Sequence, residues 1–382
     1  MDHFSAKLFY LLLIALVIMA GSALIWYIIA KKENPLTDIP MDEDPDYIDE
    51  DSSDSDWVDY GSAEDSSEEV VEEVAETVTD MNTLTQDPKN PNLLINTAGD
   101  SRKVAILIGT NVCDPEIYQG DTLKLKGCVN DALNIRKLAV KYGFGRIYFL
   151  TDAHATIDNF LKAWKSATET IADGDTLLLQ RSGHGMSLDM NVLDRKNDTE
   201  IGGTNEDGTI YSGDQGSVLH DGVIVDDVYW RLLLTLPRVK VIYINDSCHS
   251  ATQYKLMNSV KTGNAYRKAR SVSRDYLPTK NNVLDLAQLD KNVPKPVNEE
   301  LKCTLISIAG CQEYEYSQDA YLDRKYQGAA TCCLMSIYQH NPAPTPKQIK
   351  EQLPILLKSR GFTQHPQVNI EGDPVAWDQP LL

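Results

Sequence analysis

Cys248 is the residue in this chain best placed to do chemistry. It follows the apolar, β-branched run Val239 to Ile244 and sits among small or polar neighbours: Asn245, Asp246, Ser247, His249 and Ser250. Such a run reads as a buried strand of a parallel sheet. In open α/β sheets the carboxyl ends of strands line the ligand-binding edge, so the fold delivers this thiol there. An upstream stretch repeats the pattern, with Thr176 to Gln180 running into Arg181, Ser182, Gly183, His184 and Gly185. A thiol and an imidazole on two such ends can act together: the sulfur attacks a carbonyl carbon and the imidazole protonates the departing amine. His249 competes for the second role, but adjacent strand residues point to opposite faces, which disfavours it.

The other cysteines read differently. All seven lie at 113, 128, 248, 303, 311, 332 and 333, without a CxxC pair or a zinc-like Cys/His spacing. An odd count with two adjacent members makes a poor disulfide framework, so reduced thiols in a reducing compartment are expected. Cys303 and the pair Cys332 and Cys333 lie in apolar surroundings and read as small buried hydrophobes.

The elements that must position Cys248 and His184 alternate between the two structural periods. Strands are expected at 104–109, 146–150, 176–180, 239–244 and 303–309, with an edge strand at 367–370. Helices are expected at 129–142, 157–171, 226–234, 329–338 and 346–360. That alternation predicts one α/β domain over 101–382, a mainly parallel sheet covered by helices on both faces. A long polar insert follows the His184 strand, and a second insert spans 252–300.

SGHG (182–185) after one strand, DSCHS (246–250) after a later one, and GCVNDA (127–132) before both resemble, in that order, the metacaspases and in particular their prokaryotic relatives. The resemblance runs from about Lys103 to the C-terminus. It implies a caspase-like fold and a cysteine endopeptidase that cuts after Arg or Lys. Cys248 would be the nucleophile and His184 the acid/base, with the backbone N–H groups of Gly185 and Cys248 holding the oxyanion. Asp246 and Asp131 would compensate the basic side chain, with Cys128 lining the pocket and Ser182 nearby. A simpler reading is that Asn130 or Asp131 caps the helix that starts there and that Asp246 solvates a strand end. The resemblance also implies a monomer, and its segments around Gln312, Ser317–Ala320 and His365–Gln367 suggest a complete fold.

Several residues depart from the family pattern. Asp226 and Asp227 look like the paired aspartates of a calcium site, yet Lys255 stands where the family carries another Asp. No cofactor is therefore required by this reading; calcium through Asp226 and Asp227 is weighed against their favouring a helix N-terminus. Ala251 replaces a usual Gly, and Arg181 puts a cation before SGHG. These departures leave an alternative: a catalytically weak or inactive tethered module that binds basic segments. Nine Lys and Arg lie between Thr252 and Glu300, which makes the second insert a candidate for self-cleavage if it is mobile.

The formal charge of −20 is unevenly placed. Between Glu33 and Asp100 there are 22 Asp and Glu against the single Lys89, so the rest of the chain is near neutral and no nucleic-acid-binding face is expected. Residues 33–100 read as an acidic, Ser-rich disordered linker. Before it, within 1–32, the uncharged 23-residue run from Leu8 to Ala30 is long enough to span a bilayer, with Trp26 and Tyr27 near one end. Lys31 and Lys32 outnumber Lys7, which favours a cytoplasmic catalytic domain on a single-pass anchor.

Overall fold

A computed structural model describes residues 83–187, 203–204, 210–211, 215–247, 267–270, 272, 276, 278–291, 293, 295, 300–312 and 315–382. The expected membrane segment (8–30), most of the linker, Cys248, His249, Ala251 and Lys255 lie outside the described residues.

An eight-stranded sheet forms the frame. Its strands are β1 (Leu84–Asp87), β2 (Asn90–Asn96), β3 (Asp100–Gly109), β4 (Phe144–Thr151) and β5 (Thr176–Ser182), joined later in the chain by three more. Between these come the short strands β6 (Gly185–Ser187), β7 (Gly203–Thr204), β8 (Ile210–Tyr211), β9 (Gln215–Leu219) and β10 (Gly222–Val225). Then follow β11 (Lys240–Asp246), β12 (Arg267–Ala269), β13 (Val283–Leu284), β14 (Thr304–Ala309), β15 (Gln318–Leu322), β16 (Lys325–Gly328) and β17 (Gln367–Glu371). The main sheet runs β1-β2-β4-β3-β5-β11-β14-β17. Its centre, from β4 to β14, is parallel, while β1, β2 and the edge strand β17 pair antiparallel.

Six helices complete the described fold: α1 (Cys128–Lys141), α2 (Ile157–Thr168), α3 (Asp226–Leu233), α4 (Leu286–Leu289), α5 (Ala329–His340) and α6 (Pro346–Ser359). Side chains alternate across the sheet, so each central strand serves two cores. Leu178, Ile242, Ile244, Ile306 and Ile308 pack with α1, α5 and α6. Leu177, Leu179, Val241 and Leu305 pack with α2, α3 and α4 on the other face.

The linker is shorter than expected. Of the stretch expected as linker, residues 84–100 belong to the domain, because Leu93 is buried and β2 pairs with β4. Asp87 and Asp100 extended the acidic count past the point where apolar residues return. The second insert also contributes structure: β12 pairs with β15, and β13 joins a small sheet ordered β13-β10-β9-β6. No described helix is long and apolar enough to cross a membrane.

Candidate active site

Strand parity sorts the groups at the carboxyl ends of β5 and β11. Ser182 lies opposite Asp246 and Arg181 opposite Asn245 in the parallel ladder. Asp246 therefore faces α1 and α5, while Arg181 faces the other side.

On the α1 side, three carboxylates surround one guanidinium. Asp131, in the first turn of α1, accepts from Arg270 Nη2 at 2.7 Å and from the Gly328 N–H at 2.8 Å. Asp319, on β15, accepts from the same Nη2 at 3.0 Å and from the N–H groups of Lys126 and Gly127, both at 2.9 Å. Asp246 receives Arg270 Nη1 on its backbone oxygen at 2.7 Å, with the carboxylate at 3.5 Å. That carboxylate also accepts from the N–H and hydroxyl of Thr331, at 2.8 and 2.7 Å, and from the Ser317 hydroxyl. Arg270, Asp131 and Asp319 are fully buried. The wall is tight: a Cβ at Gly328 would come within 2.2 Å of Asp246 and 2.6 Å of Arg270, so only glycine fits there.

One cation among three carboxylates leaves the cluster with an excess of negative charge, and the ionisation of its members reflects this. Burial raises the Asp131 pKa to about 7; Arg270 pulls it down and Asp246 pushes it further up. Burial alone would lower Arg270, but Cys128 and the three carboxylates outweigh it and hold the guanidinium well above its usual range. Cys128, also fully buried, has its thiol pushed well up by burial.

Cys128 and Asp246 thus lie with Asp131 at this cluster. Ser182 stands beside Asp246 in the ladder, but its hydroxyl accepts from Gln180 at 3.1 Å. The capping role for Asp131 does not hold: the N-cap of α1 is Gly127, without a side-chain bond, and Asp131 points to Arg270. Sequence reasoning missed Arg270 and Asp319 as site residues. The one signal for Asp319 is its place in Ser317–Ala320, and Arg270 is one of the nine basic residues of the second insert.

His184 is 3% exposed and sits between β5 and β6. Its Nε2 lies 2.8 Å from the Leu123 carbonyl, which assigns the proton to Nε2 and leaves Nδ1 as the acceptor. Nδ1 has no partner among the described residues. Burial, followed by the charge on Lys268, holds the imidazole pKa down at about 3, so it is neutral at physiological pH. The Gly185 N–H donates to the Arg270 carbonyl at 2.9 Å.

Arg181 is turned away from the acidic cluster. Its Nη1 donates to Ser247 Oγ at 2.6 Å and to Asn245 Oδ1 at 3.4 Å; Nη2 donates to the carbonyls of Val218, at 3.2 Å, and His184. It binds the ends of both site strands and does not contact Asp131 or Asp246.

Asp226 and Asp227 open α3, where Asp226 accepts from the N–H groups of Asp227 at 3.1 Å and Gln215 at 3.4 Å. Among the described residues no three His, Cys, Asp or Glu side chains come together as a metal site would require. Two adjacent carboxylates at a helix start do not by themselves fit a calcium cage of six or more oxygens.

A mixed α/β sheet with a histidine and an acidic cluster at its carboxyl edge is consistent with a caspase-like architecture. Residues 103–257 match the family model for the metacaspase, peptidase C14 domain. Metacaspase-1 of Scheffersomyces stipitis is 26% identical over 301 residues, covering 70% of each chain. Metacaspase-1 of Sclerotinia sclerotiorum is 26% identical over 315 residues, covering 74% of this chain and 68% of its own. In fold, a crystal structure of a Geobacter sulfurreducens protein superposes with a TM-score of 0.56 at 24% identity, covering 73% of this chain and 97% of that one. These likenesses support a cysteine peptidase of the metacaspase type, in the caspase clan, with the family match confined to residues 103–257.

Proposed function

We propose that this peptidase hydrolyses peptide bonds after Arg or Lys through Cys248 and His184. The observation that carries the reading is the buried cluster of Asp131, Asp246 and Asp319, which already holds a guanidinium by charge-assisted bonds. A caspase-type pocket for Asp would need cations in these positions instead.

The chemistry follows from the positions of the groups. A basic side chain enters the acidic pocket and brings its carbonyl oxygen to the Gly185 N–H. Cys248 directly follows Ser247, which Arg181 fixes, and its sulfur attacks the carbonyl carbon. His184 Nδ1 takes the thiol proton as the sulfur attacks and passes it to the leaving amine; its Nε2–H stays on Leu123 and fixes the ring. The Gly185 N–H stabilises the oxyanion, and a water then cleaves the thioester.

Three further elements of the reading rest on sequence. The segment 8–30 anchors the chain in a membrane, with the peptidase domain in the cytoplasm. The domain acts as a monomer on protein or peptide substrates and binds no nucleic acid. Calcium at Asp226 and Asp227 would require donors beyond these two, and no step here depends on it.

The test compares fluorogenic peptides ending in Arg, Lys and Asp, with and without calcium, using the intact chain and Cys248→Ala. Turnover of the Arg and Lys peptides that is lost in Cys248→Ala is the expected result. Cleavage of the Asp peptide would overturn the specificity. Absence of turnover from a folded chain would favour a tethered module that binds basic segments without cutting them.

A further inference from the structure

Gln312, Ser317–Ala320 and His365–Gln367 are separated in the chain, and the fold gathers them at the carboxyl end of β11. The connection from β14 to β15, described at 310–312 and 315–317, meets the last residues of that strand one after another. The Gly310 N–H donates to the Asn245 carbonyl at 2.9 Å. The Ser317 hydroxyl donates to Oδ1 of Asp246, and a Cβ at Gly310 would come within 2.8 Å of that same oxygen. The Cys311 thiol lies 3.5 Å from the Ser247 carbonyl. Asn245, Asp246 and Ser247 each rest on this connection.

Gln364, between α6 and β17 and 5% exposed, joins the two ends of the connection. Its amide nitrogen donates to the Gly310 carbonyl at 2.7 Å, and its amide oxygen accepts from the Gln318 N–H at 3.1 Å. A single planar amide thereby fixes the spacing between Gly310 and Ser317, the two residues that close on Asp246 Oδ1. Beside it, the Glu315 carboxylate accepts from the N–H groups of Gln312 at 3.2 Å and His365 at 2.7 Å, and meets the His365 ring. The two oxygens of Asp246 are thus held from different sides. Thr331, on α5, holds Oδ2; Oδ1, set by the connection, lies 3.5 Å from the guanidinium in the acidic cluster.

We infer that Gln364 is a positioning residue for substrate selection: by clamping Gly310 and Ser317 it aims Asp246 Oδ1, and so sets the preference of the acidic pocket for Arg over Lys. The inference deepens the peptidase reading above and rests on it. A guanidinium is a planar fork that reads fixed oxygen positions, whereas an ammonium is a point charge with rotatable donors. Loosening Asp246 Oδ1 therefore weakens an Arg substrate more than a Lys substrate. Thr331 keeps the carboxylate at the pocket through Oδ2, so a cation still binds while the discrimination is lost. Gln364 acts through Gly310 and Ser317 rather than on the substrate itself.

The test measures kcat/KM for paired Arg and Lys peptides with the full chain and its Gln364→Met variant. Met keeps most of the side-chain volume and removes both bonds. The ratio of the two values does not depend on how much of the sample is active, so a purely structural loss leaves it unchanged. The parent should favour Arg about tenfold, and Gln364→Met should lower that ratio about fivefold, mostly through the Arg peptide. Ile349→Val, a buried change in α6, should leave the ratio as in the parent. A Gln364→Met ratio within about twofold of the parent's, a matching fall in Ile349→Val, or a parent without Arg preference would overturn the inference while leaving the peptidase reading intact. A second readout needs no turnover: urea unfolding of the Cys248→Ala chain carrying Gln364→Met, Ser317→Ala or both. Because the clamp holds Ser317, the two effects on the unfolding constant should fall short of multiplying by about tenfold. Effects that multiply to within about twofold would overturn the clamp itself. Absence of turnover by the parent would instead overturn the peptidase reading, and the selectivity with it, while the unfolding cycle would still decide whether Gln364 holds Ser317.

Discussion

Replacing Asp131 by Asn in the Cys248→Ala chain should remove a pH-dependent cost from the fold. Asp131 is fully buried, and burial raises its pKa to about 7 although Arg270 lies 2.7 Å away. In the unfolded chain an Asp titrates near 4. Between these values the folded state binds the extra proton, so stability falls as pH rises, fully present below the lower value and lost through the upper. Three units at about 1.4 kcal/mol each give a loss of about 4 kcal/mol between pH 4 and pH 8. Asn has no proton to lose, so its curve lacks this component. It carries a constant penalty instead: its amide presents a donor to Arg270 where the carboxylate accepted, costing about 1–3 kcal/mol. The variant should therefore be the less stable chain at pH 4 and draw level with or pass the parent by pH 8. Urea midpoints measured across that range, with m-values compared to confirm two-state behaviour, read the difference directly. Parallel curves would refute the reasoning. A parent that gains stability over Asn as pH rises would mean that Arg270, rather than burial, sets the ionisation of Asp131.

Two further predictions concern the thiols and Arg181. The six described cysteines are buried, and burial pushes Cys113 and Cys333 up to about 12 and Cys303 to about 11. Iodoacetamide at pH 7.5 should label the native chain at Cys248 alone, and mass mapping that finds native label on Cys113 or Cys333 would contradict this. Arg181→Met should lower stability by about 3 kcal/mol or more, because the acceptors on Val218, His184 and Ser247 lose a buried donor. It should also lower kcat about a hundredfold by freeing both strand ends; a loss under about 1 kcal/mol in urea would show that those acceptors find other partners.

The central strands and long helices were legible because each combines an apolar run or stripe with sufficient length. β5, β11, β14, α1 and α6 fall within a residue or two of their expected bounds. The edge of the fold was harder to read. β1 is four residues long with only its ends partly buried, and β2 is interrupted by Asn and Pro, so neither carries a strong period-two signal. The small sheets use strands of two to five residues, too short for any periodicity to show. Asp131 and Asp246 could be named from local motifs and strand ends. Their partner could not, because Arg270 lies 139 residues from Asp131 and no local pattern encodes a contact at that distance.

The alternation of side chains along β5 and β11 also explains how one chain keeps two buried arginines in different states. Arg181 and Asn245 share one face; Ser182 and Asp246 share the other. The first face meets Arg181 with neutral acceptors, two backbone carbonyls, an amide oxygen and a hydroxyl, so its charge is solvated by fixed dipoles and is not cancelled by a carboxylate. The second face meets Arg270 with three carboxylates. A residue held by dipoles at the ends of two strands is part of the frame, since releasing it would strand every one of those acceptors. A residue that follows a short strand and is held by three carboxylates is instead bound mainly by charge. The sheet thereby separates an arginine solvated by dipoles at the ends of β5 and β11 from one neutralised by carboxylates on the α1 face.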